Sequence, residues 1–369
     1  MKENIIIHVA SINGNPCAGA ESAVLNHIKY QSKYAKMLLL NVSTYDFRLE
    51  NESYKVENFE NIKSIDRLNV PFNKPDLIIF HSIYYVKYLK IAKQANKLNI
   101  PYVVVPHGGL QFRAQRTKKV KKILGNIFLF NSFLRNASAI QYLCLGEKNN
   151  SVNKNNKYFI SGNGFELVEQ QKTYHNKKNN DKFELIFVGR YNMYFKGLDL
   201  MIESINCIKD FMRKNNIIVS LYGKIYLDYE KVKKMVCDYK IDDIVLLNDG
   251  VYGEDKILKL LNADVFIQTS RSEGQPLGII EAISLGLPCI LTKGTNFGEI
   301  VEKEGIGWVS DFSVENLCQV IREAFIQREK LPEMSRKAVN YARENLLWEK
   351  VSQNAVYHYE EIIENKKRG

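Results

Sequence analysis

The sequence predicts an α/β protein of two doubly wound, Rossmann-like domains that face a central cleft. The chain has 369 residues, which is too long for one ordinary core and suits two domains of roughly 150 to 200 residues each. Short β-branched runs alternate with helical stretches, as in parallel sheets covered on both faces. The alternation stops in a polar, Asn/Lys-rich stretch from Lys172 to Asp181 and then restarts, which indicates a connector between two domains.

In the first half, the strands are continuous apolar runs, as burial on both faces requires. The predicted strands are Ile5–Ala10, Lys36–Asn41, Asp76–His81 and Tyr102–Val105, and the predicted helices are Ala20–Ser32 and Tyr84–Leu98. The polar stretch from Asp46 to Asn73 is predicted to be irregular.

The second half repeats the pattern and ends in a helical tail. The predicted strands are Leu185–Val188, Ile217–Tyr222, Ile244–Leu247, Val265–Gln268 and Pro288–Leu291, and the predicted helices are Leu198–Arg213, Tyr229–Tyr239, Leu277–Leu285 and the tail from Pro332 to Lys366. We therefore expect an N-terminal domain at 1–165 and a C-terminal domain at 166–344, with a last helix of about 345–369. Ligands are expected at the carboxyl ends of the strands.

Composition indicates a soluble, basic protein. Hydrophobic residues make up 45% of the chain, and no apolar run approaches the roughly 18 residues of a membrane-spanning helix. The apolar start is too short for a signal peptide and the six cysteines are scattered, so the sequence predicts a cytoplasmic protein without disulfides or structural zinc. The net charge of +11 favours an anionic partner, either nucleic acid, an anionic membrane surface or a phosphorylated small molecule.

Incomplete motifs exclude several nucleotide-binding classes. Gly14 and Gly19 have the spacing of a phosphate-binding loop, but Ala20-Glu21 stands where that loop needs Lys-Ser or Lys-Thr. No Gly-x-Gly-x-x-Gly lies at a strand–helix junction, which disfavours a dinucleotide oxidoreductase. No Asp-x-Asp is present to hold a metal ion against a diphosphate. Other groups must therefore neutralise any phosphates.

Two cations follow the first predicted strand of the second domain. Arg190 comes directly after that strand and Gly189, and Lys196-Gly197 opens the next predicted helix. A helix N-terminus offers unpaired N–H groups and the positive end of the helix dipole, so it favours anions beside these cations. An ordinary loop with two solvated cations is the alternative, and this segment alone leaves both open.

Two carboxylates eight positions apart flank a Gly/Pro-rich turn. Glu273 precedes the turn and Glu281 lies on the predicted helix Leu277–Leu285. Both can accept hydrogen bonds from sugar or ribose hydroxyls, and the turn exposes backbone N–H groups. Glu281 interrupts an apolar stretch, where an acid is rarely buried without a partner. A surface helix with two solvated glutamates is the alternative.

Together these motifs resemble the nucleotide-sugar site of retaining glycosyltransferases of family 4 (glycosyl transferases group 1), which have the GT-B fold. The resemblance extends over essentially the whole chain. It implies that the N-terminal domain is the acceptor side, that the C-terminal domain binds the nucleotide sugar, and that the last helix packs back on the first domain. It rests on Gly189-Arg190, Lys196-Gly197, Glu273 with Glu281, and Gly286-Leu287-Pro288, supported by the loop Asn13–Glu21, Pro106-His107-Gly108-Gly109, Ser161-Gly162-Asn163-Gly164 and Asp249-Gly250-Val251-Tyr252.

The resemblance implies a role for each site residue. Arg190 and Lys196 would hold the diphosphate in place of a metal ion, and neither a metal nor a cofactor is expected beside the donor, which would be a UDP-sugar. Glu281 would bind the donor ribose, Glu273 the transferred sugar, and His107 would lie near the reacting centre. The implied catalytic set is therefore His107, Glu273, Arg190 and Lys196, and the implied donor site adds Gly19, Val251, Tyr252, Gly274, Gln275, Pro276, Leu277 and Glu281.

Two positions depart from the family pattern. Tyr222-Gly223-Lys224 stands where the family often has Gly-x-Gly, so phosphate contacts at this loop are not expected from the motif alone. Gly19-Ala20 replaces a double glycine, which predicts that the first loop approaches its ligand less closely.

A basic segment, Arg116 to Lys122, leads into an apolar stretch and is amphipathic at helical spacing. It is interpreted either as a core-packed helix with a solvated face or as a helix that docks on an anionic membrane. Nucleic-acid binding fits poorly, because no recognised binding module accompanies the charge.

The sequence therefore predicts a metal-independent glycosyltransferase that moves a sugar from a nucleotide-diphosphate donor to a hydroxyl acceptor with retention. The expected acceptor is a carbohydrate or a lipid-linked molecule, in surface polysaccharide (capsule or lipopolysaccharide) or glycolipid assembly at the inner face of the cell membrane. Two alternatives stay open: a GT-B nucleotide-sugar epimerase, and a catalytically silent partner subunit of a heteromeric glycosyltransferase.

Overall fold

The chain folds into two compact units. A computed structural model describes residues 3–14, 19–48, 53–116, 125, 129–152, 155–174, 181–225 and 228–368. The first unit comprises residues 1–164 and 348–369, and the second comprises residues 165–347. Most of the basic segment predicted to pack or to dock on a membrane, residues 117–122, lies outside the described residues, as do residues 15–18 of the first loop and 175–180 of the connector. None of the helices in the described ranges is both long and apolar enough to cross a bilayer.

The first unit is built on a parallel sheet. In chain order its described strands β1 to β7 are Ile5–Ala10, Lys36–Asn41, Lys55–Asn58, Leu77–His81, Tyr102–Val105, Ala139–Tyr142 and Tyr158–Ile160. Their spatial order is β3-β2-β1-β4-β5-β6-β7, so the chain winds outward from β1 in one direction and then in the other. This doubly wound order places the carboxyl ends of β1, β4 and β5 side by side.

Helices bury both faces of this sheet. The described helices are Gly19–Gln31, Phe59–Ile62, Val86–Lys97, Phe112–Arg116, Asn131–Arg135, Leu145–Asn149 and Trp348–Arg368. One apolar cluster joins Ile78 and Phe80 to helix Val86–Lys97. Another joins Ile79 on the opposite face to helices Gly19–Gln31 and Trp348–Arg368. The long last helix is therefore part of the first unit, although the second unit precedes it in the chain.

The second unit repeats the architecture with its own sheet and core. Its described strands β8 to β13 are Phe183–Val188, Ile217–Tyr222, Val245–Asn248, Val265–Gln268, Cys289–Thr292 and Gly307–Ser310, in the parallel order β10-β9-β8-β11-β12-β13. Its described helices are Met193–Lys196, Leu198–Cys207, Lys209–Lys214, Tyr229–Asp238, Gly253–Asn262, Leu277–Ser284, Gly298–Glu304, Val314–Ile326 and Leu331–Asn345. The α/β fold class predicted from the sequence is confirmed in both units.

Two predicted helices were too long. The predicted helix Leu198–Arg213 breaks at Ile208, whose backbone leaves helical geometry (φ −116°, ψ 16°) while its side chain stays in the core. The helical tail breaks at Leu346-Leu347. There the Leu346 carbonyl accepts a hydrogen bond from the Phe165 N–H at 2.9 Å, a pairing that a continuous helix would not allow. The stretch from Asp46 to Asn73, predicted to be irregular, contains the edge strand Lys55–Asn58.

Candidate active site

The candidate site of the second unit lies at the carboxyl edge of its sheet. Arg190 follows β8, the loop Asp249–Tyr252 follows β10, and the segment from Ser270 to Pro276 follows β11. Because parallel strands all end at the same edge of a sheet, three separate stretches of sequence meet there. This edge is where ligands bind in doubly wound sheets.

Gly197 allows the backbone next to Lys196 to approach the end of β11 closely. Helix Met193–Lys196 begins with the Asn192 side chain accepting from the Phe195 N–H at 2.9 Å, and it ends at Gly197 with φ +64°. A Cβ at Gly197 would lie 2.0 Å from the Thr269 carbonyl oxygen, so only glycine fits. The Thr269 hydroxyl donates to the carbonyls of Gly197 at 2.8 Å and Lys196 at 3.1 Å. The glycine of the Lys196-Gly197 pair thus permits the close contact with Thr269 that positions Lys196 at the end of β11.

Lys196 and Glu273 form a mostly buried ion pair. The Lys196 Nζ donates to Oε1 of Glu273 at 2.7 Å, and the two side chains are only 14% and 17% exposed. The same oxygen accepts from the Ser270 hydroxyl at 2.7 Å and from the Gln268 amide at 3.2 Å. Three donors on one oxygen hold the carboxylate in a single orientation. The structure thus joins two predicted site residues that are 77 positions apart.

Arg271 and Asp199 brace the segments that carry this pair. The Arg271 guanidinium forms a bidentate ion pair with Asp199 at 2.6 and 2.9 Å, and its Nη1 also donates to the Tyr194 carbonyl at 3.1 Å. The Arg271 N–H donates to the Phe195 carbonyl at 2.9 Å. Planar, bidentate Arg–carboxylate pairs restrict geometry more than a lysine can. Sequence reasoning missed both residues, although each lies only two positions from a residue that it singled out.

The backbone of the Gly/Pro-rich turn is held from the following loop. The Asn296 side-chain amide donates to the Gly274 carbonyl at 2.8 Å and also to the Glu273 carbonyl. The Glu273 N–H donates to the Gly294 carbonyl at 3.0 Å. With its carbonyls engaged, the turn leads into helix Leu277–Ser284 in a fixed path. Sequence reasoning did not identify Asn296, which follows β12 and adopts φ +63°.

Glu281 has the partner that its apolar surroundings required. The Lys256 Nζ donates to its Oε1 at 2.6 Å, with the two side chains 24% and 32% exposed. Glu281 lies on helix Leu277–Ser284 and Lys256 on helix Gly253–Asn262, directly after the loop of Val251 and Tyr252. Lys256 therefore links the carboxylate predicted to bind ribose to the loop predicted to contact the base. Nothing in the sequence identified it beforehand.

The remaining predicted donor residues are arranged around these two pairs. Arg190 is exposed and has no ion pair among the described residues, and Tyr252 is 47% exposed. Oδ1 of Asp249 accepts from the Gly250 N–H at 2.7 Å, which shapes the loop that carries Val251 and Tyr252. Gln275 and Leu277 are partly buried and Pro276 is buried. A cation and an aromatic ring are thus accessible at the same sheet edge as the two glutamates.

Gly223, in the loop after β9, stands where the family of the resemblance often has Gly-x-Gly. A Cβ on Gly223 would lie 2.2 Å from the Gly189 carbonyl oxygen. The loops after β8 and β9 therefore touch through their backbones, and Gly223 is needed for that approach. This contact explains the glycine without a ligand, and phosphate contacts at this loop, which the sequence did not lead us to expect, are not proposed.

In the first unit, His107 follows β5 in an unusual backbone conformation. Its φ is +48° and that of Gly108 is +79°. The buried carboxylate of Glu147 accepts hydrogen bonds from the Gly108 N–H and, at 2.7 Å, from the Leu143 N–H. Burial raises the pKa of Glu147 to about 7. Glu147, which sequence reasoning missed, therefore fastens the Pro106–Gly109 loop to the segment after β6.

The other predicted elements of the first unit are more open. Gly19 begins helix Gly19–Gln31, is exposed, and has open space where a Cβ would lie. Glu21 accepts from the Asn13 N–H at 3.0 Å, which closes the end of the first loop onto the helix. Within the described ranges, no three His, Cys, Asp or Glu side chains are grouped to hold a metal ion. Metal independence itself stays a prediction.

Known proteins are similar to this chain in both sequence and fold. Residues 169–345 match the family model for glycosyl transferases group 1. Protein CapJ of Staphylococcus aureus is 23% identical over 330 residues, which is 85% of this chain and 80% of CapJ. The chain also superposes on sucrose-phosphate synthase from Thermosynechococcus elongatus with a TM-score of 0.79 at 14% identity, covering 98% and 100% of the two chains.

A further solved structure, HepE from Anabaena in complex with UDP-glucose, superposes with a TM-score of 0.73 at 17% identity over 96% of this chain and 99% of HepE. At these identities the likeness shows the fold, and the family match indicates the class of domain. Residues 169–345, which lie within the second unit, thus resemble glycosyl transferases group 1, and the chain as a whole has the GT-B fold.

Proposed function

We propose that this protein transfers a sugar from a nucleotide-diphosphate donor, a UDP-sugar, to a hydroxyl of a carbohydrate or lipid-linked acceptor, with retention and without a metal ion. The observation that supports the proposal most is the Lys196–Glu273 pair at the carboxyl edge of the second sheet. A donor of this kind combines a dianionic diphosphate with sugar hydroxyls, so its site needs cations and carboxylates together. HepE, which has the same fold, was crystallised with UDP-glucose.

The diphosphate is assigned to Arg190 and Lys196. Arg190 is exposed at the sheet edge and can turn toward a ligand. Lys196 already donates to Glu273, and an ammonium group has three donors, so one can remain on Glu273 while another binds a phosphate oxygen. Two cations near the departing phosphate would stabilise the charge that develops as the glycosidic bond breaks.

The sugar and the nucleoside are assigned to the two glutamates. Glu273, held by three donors, accepts hydrogen bonds from the transferred sugar, beside the backbone of Gly274–Leu277. Glu281, oriented by Lys256, accepts from the ribose hydroxyls, and the loop with Val251 and Tyr252 contacts the base. Preorganised acceptors of this kind bind without the cost of reorientation.

Retention is proposed to proceed by front-face attack. The acceptor hydroxyl forms its bond to the anomeric carbon on the face from which the nucleotide diphosphate departs, and the departing phosphate oxygen receives the acceptor proton. No side chain is assigned as a covalent nucleophile. Surface polysaccharide or glycolipid assembly is the proposed setting, with the acceptor reached from the inner face of the cell membrane.

A donor panel tests the proposal. UDP-, GDP- and ADP-sugars are compared by thermal shift, because a ligand that binds only the native state raises the apparent stability. The best binder is then incubated with oligosaccharide and lipid-linked acceptors, and products are followed by mass spectrometry. We expect a UDP-sugar to stabilise the protein and a glycoside to form. Isomerisation of the donor without any acceptor, or no binding of any nucleotide sugar, would contradict the proposal in favour of an epimerase or a silent subunit.

A further inference from the structure

Three histidines form a hydrogen-bonded chain across the first sheet. Nδ1 of His8 lies 2.9 Å from Nε2 of His81, and Nδ1 of His81 lies 3.0 Å from Nε2 of His107. His8 and His81 are buried, and His107 is partly exposed. This chain of three histidines therefore runs from the interior of the first unit to the Pro106–Gly109 loop.

Strand register creates this chain. His8 on β1 is paired with Ile79 of β4, and His81 lies two residues beyond Ile79. His81 is in turn paired with Val105 of β5, and His107 lies two residues beyond Val105. Side chains two residues apart lie on the same face of a strand. The three histidines therefore lie on one face of the sheet, each two residues beyond the position that pairs with the histidine before it.

The ring protons of this chain must all point the same way. Burial lowers the pKa of His8 and of His107 to about 3, and that of His81 well below its ordinary value, so the three rings are neutral near pH 7. A neutral imidazole has one N–H donor and one acceptor nitrogen. His81 uses both of its nitrogens in the chain, so it donates to one neighbour and accepts from the other.

The buried His8 end of the histidine chain determines in which direction the N–H groups point. Nε2 of His8 is buried and has no hydrogen-bond partner among the described residues. If the protons pointed inward, this atom would carry a buried N–H without an acceptor, which is rare in folded proteins. If they point outward, the same atom is an unprotonated nitrogen, and the proton left over lies on Nδ1 of partly exposed His107.

We propose that His8 and His81 are positioning residues that fix the tautomer of His107, so that its Nδ1–H points away from the chain as a hydrogen-bond donor. A donor in this position recognises an oxygen atom of a ligand, such as a sugar hydroxyl or a phosphate oxygen. Only this last step rests on the proposed function. The tautomer itself belongs to the protein without ligand.

His27 provides an internal reference in the same cluster. It is buried, with its ring centre 6.0 Å from that of His81, but it lies outside the chain. Its Nε2 faces the Asn163 side-chain oxygen at 3.1 Å and its Nδ1 faces the Gln31 amide nitrogen at 3.4 Å. These partners select the opposite tautomer, with the proton on Nε2.

The test is the ¹⁵N spectrum of the full chain labelled at its histidine rings, without ligand near pH 7. Long-range proton–nitrogen correlations distinguish a protonated from an unprotonated ring nitrogen, and single substitutions assign the signals. We expect Nδ1–H for His8, His81 and His107 and Nε2–H for His27. Nε2–H at His107, or signals averaged between the two forms, would overturn the proposal.

Variants then test whether the chain sets the tautomer. His81→Phe removes the ring that donates to His107. If His81→Phe does not fold, His8→Leu instead removes the ring that donates to His81. In either folded variant we expect the His107 signals to shift toward the averaged position while His27 is unchanged. His358→Gln, outside the cluster, is the control and should leave His107 as it is. A His107 tautomer that stays the same in the folded variants would refute a positioning role.

A matched pair at His107 tests the donor role. Asn and Asp both tolerate the left-handed backbone at this position, but only Asn can donate a hydrogen bond from the place of Nδ1. We expect His107→Asn to retain at least tenfold more transferase activity than His107→Asp, because the carboxylate places a lone pair where the ligand oxygen needs a proton. Equal activities, or a more active Asp variant, would overturn the donor role. If the wild-type protein transfers no sugar, the proposed function fails while the tautomer result still stands on the spectrum.

Discussion

Replacing Glu273 by glutamine should separate sugar recognition from nucleotide binding. Oε1 of Glu273 accepts from Ser270, Gln268 and Lys196. Glutamine keeps an oxygen for the two neutral donors but removes the negative charge opposite Lys196. In this variant the Lys196 ammonium group can bind a phosphate without also being paired with a carboxylate.

The size of the effect follows from the type of bond that changes. A hydrogen bond to a charged group contributes about 1.5–3 kcal/mol and a neutral one about 0.5–1.5 kcal/mol, so the competition for Lys196 falls by about 1 kcal/mol. We therefore expect UDP to bind Glu273→Gln with unchanged affinity or up to about fivefold more tightly. Turnover should fall by about tenfold or more, because an acceptor that tightens on the reacting sugar is weakened.

Isothermal titration with UDP and initial rates with the nucleotide sugar measure the two effects. Glu281→Gln, assigned to ribose, should weaken UDP and the nucleotide sugar alike. Glu302→Gln, an exposed glutamate on helix Gly298–Glu304, is the control and should change neither. If Glu273→Gln costs as much UDP affinity as Glu281→Gln, the sugar does not lie beside the Gly274–Leu277 turn and the division of roles is wrong.

Four further predictions concern the charged groups. Donor binding should survive EDTA but weaken by about 10- to 100-fold for each cation lost in Arg190→Ala and Lys196→Ala, as isothermal titration would show; abolition by EDTA would contradict it. Lys256→Met should weaken UDP by releasing Glu281, whereas Lys303→Met, an exposed control, should not; equal affinities would remove Lys256 from the site. The pKa of Glu147 is raised from 4.5 to about 7, so its contribution to stability is present below pH 4.5 and is lost as pH rises through 7. Urea midpoints at pH 5 and pH 8 should therefore differ less in Glu147→Gln than in the wild type, and an equal difference would refute the raised pKa. Binding to anionic vesicles should fall at high salt and on replacing Lys118, Lys119, Lys121 and Lys122 by Gln, and salt-independent or equal binding to neutral vesicles would return the segment to a packing role.

Sequence alone predicted the strands best, because buried parallel strands leave continuous apolar runs. Ile5–Ala10, Lys36–Asn41, Tyr102–Val105 and Val265–Gln268 have the predicted bounds. Strands without such a run were missed, both at the sheet edges (Lys55–Asn58, Tyr158–Ile160 and Gly307–Ser310) and inside the first sheet (Ala139–Tyr142, which contains the polar Gln141). The break at Ile208 was missed because the apolar periodicity continues across it.

Pairings within the candidate site depended on information that the sequence does not contain. The apolar stretch around Glu281 required a partner, but its identity, Lys256, depends on how two helices pack beside one sheet edge. The Lys196–Glu273 pair depends on Gly197 approaching the backbone of Thr269. The histidine chain depends on the register of β1, β4 and β5, which apolar runs do not specify.

The two lysine–glutamate pairs give the site a consistent electrostatic design. A site for a diphosphate and for hydroxyls must hold cations and carboxylates within a few ångströms, and each would be costly if left alone in a mostly buried place. Pairing Lys196 with Glu273 and Lys256 with Glu281 neutralises these charges before any ligand arrives. Because the pairs also fix the orientation of both carboxylates, the side chains are already ordered when the donor binds. The measured affinity is then the free energy of the donor's own hydrogen bonds, less what the ion pairs lose by sharing their groups with the donor and less the cost of ordering the carboxylates. Glu273→Gln reduces the first of these losses and Lys256→Met raises the second, so the two variants should change UDP affinity in opposite directions.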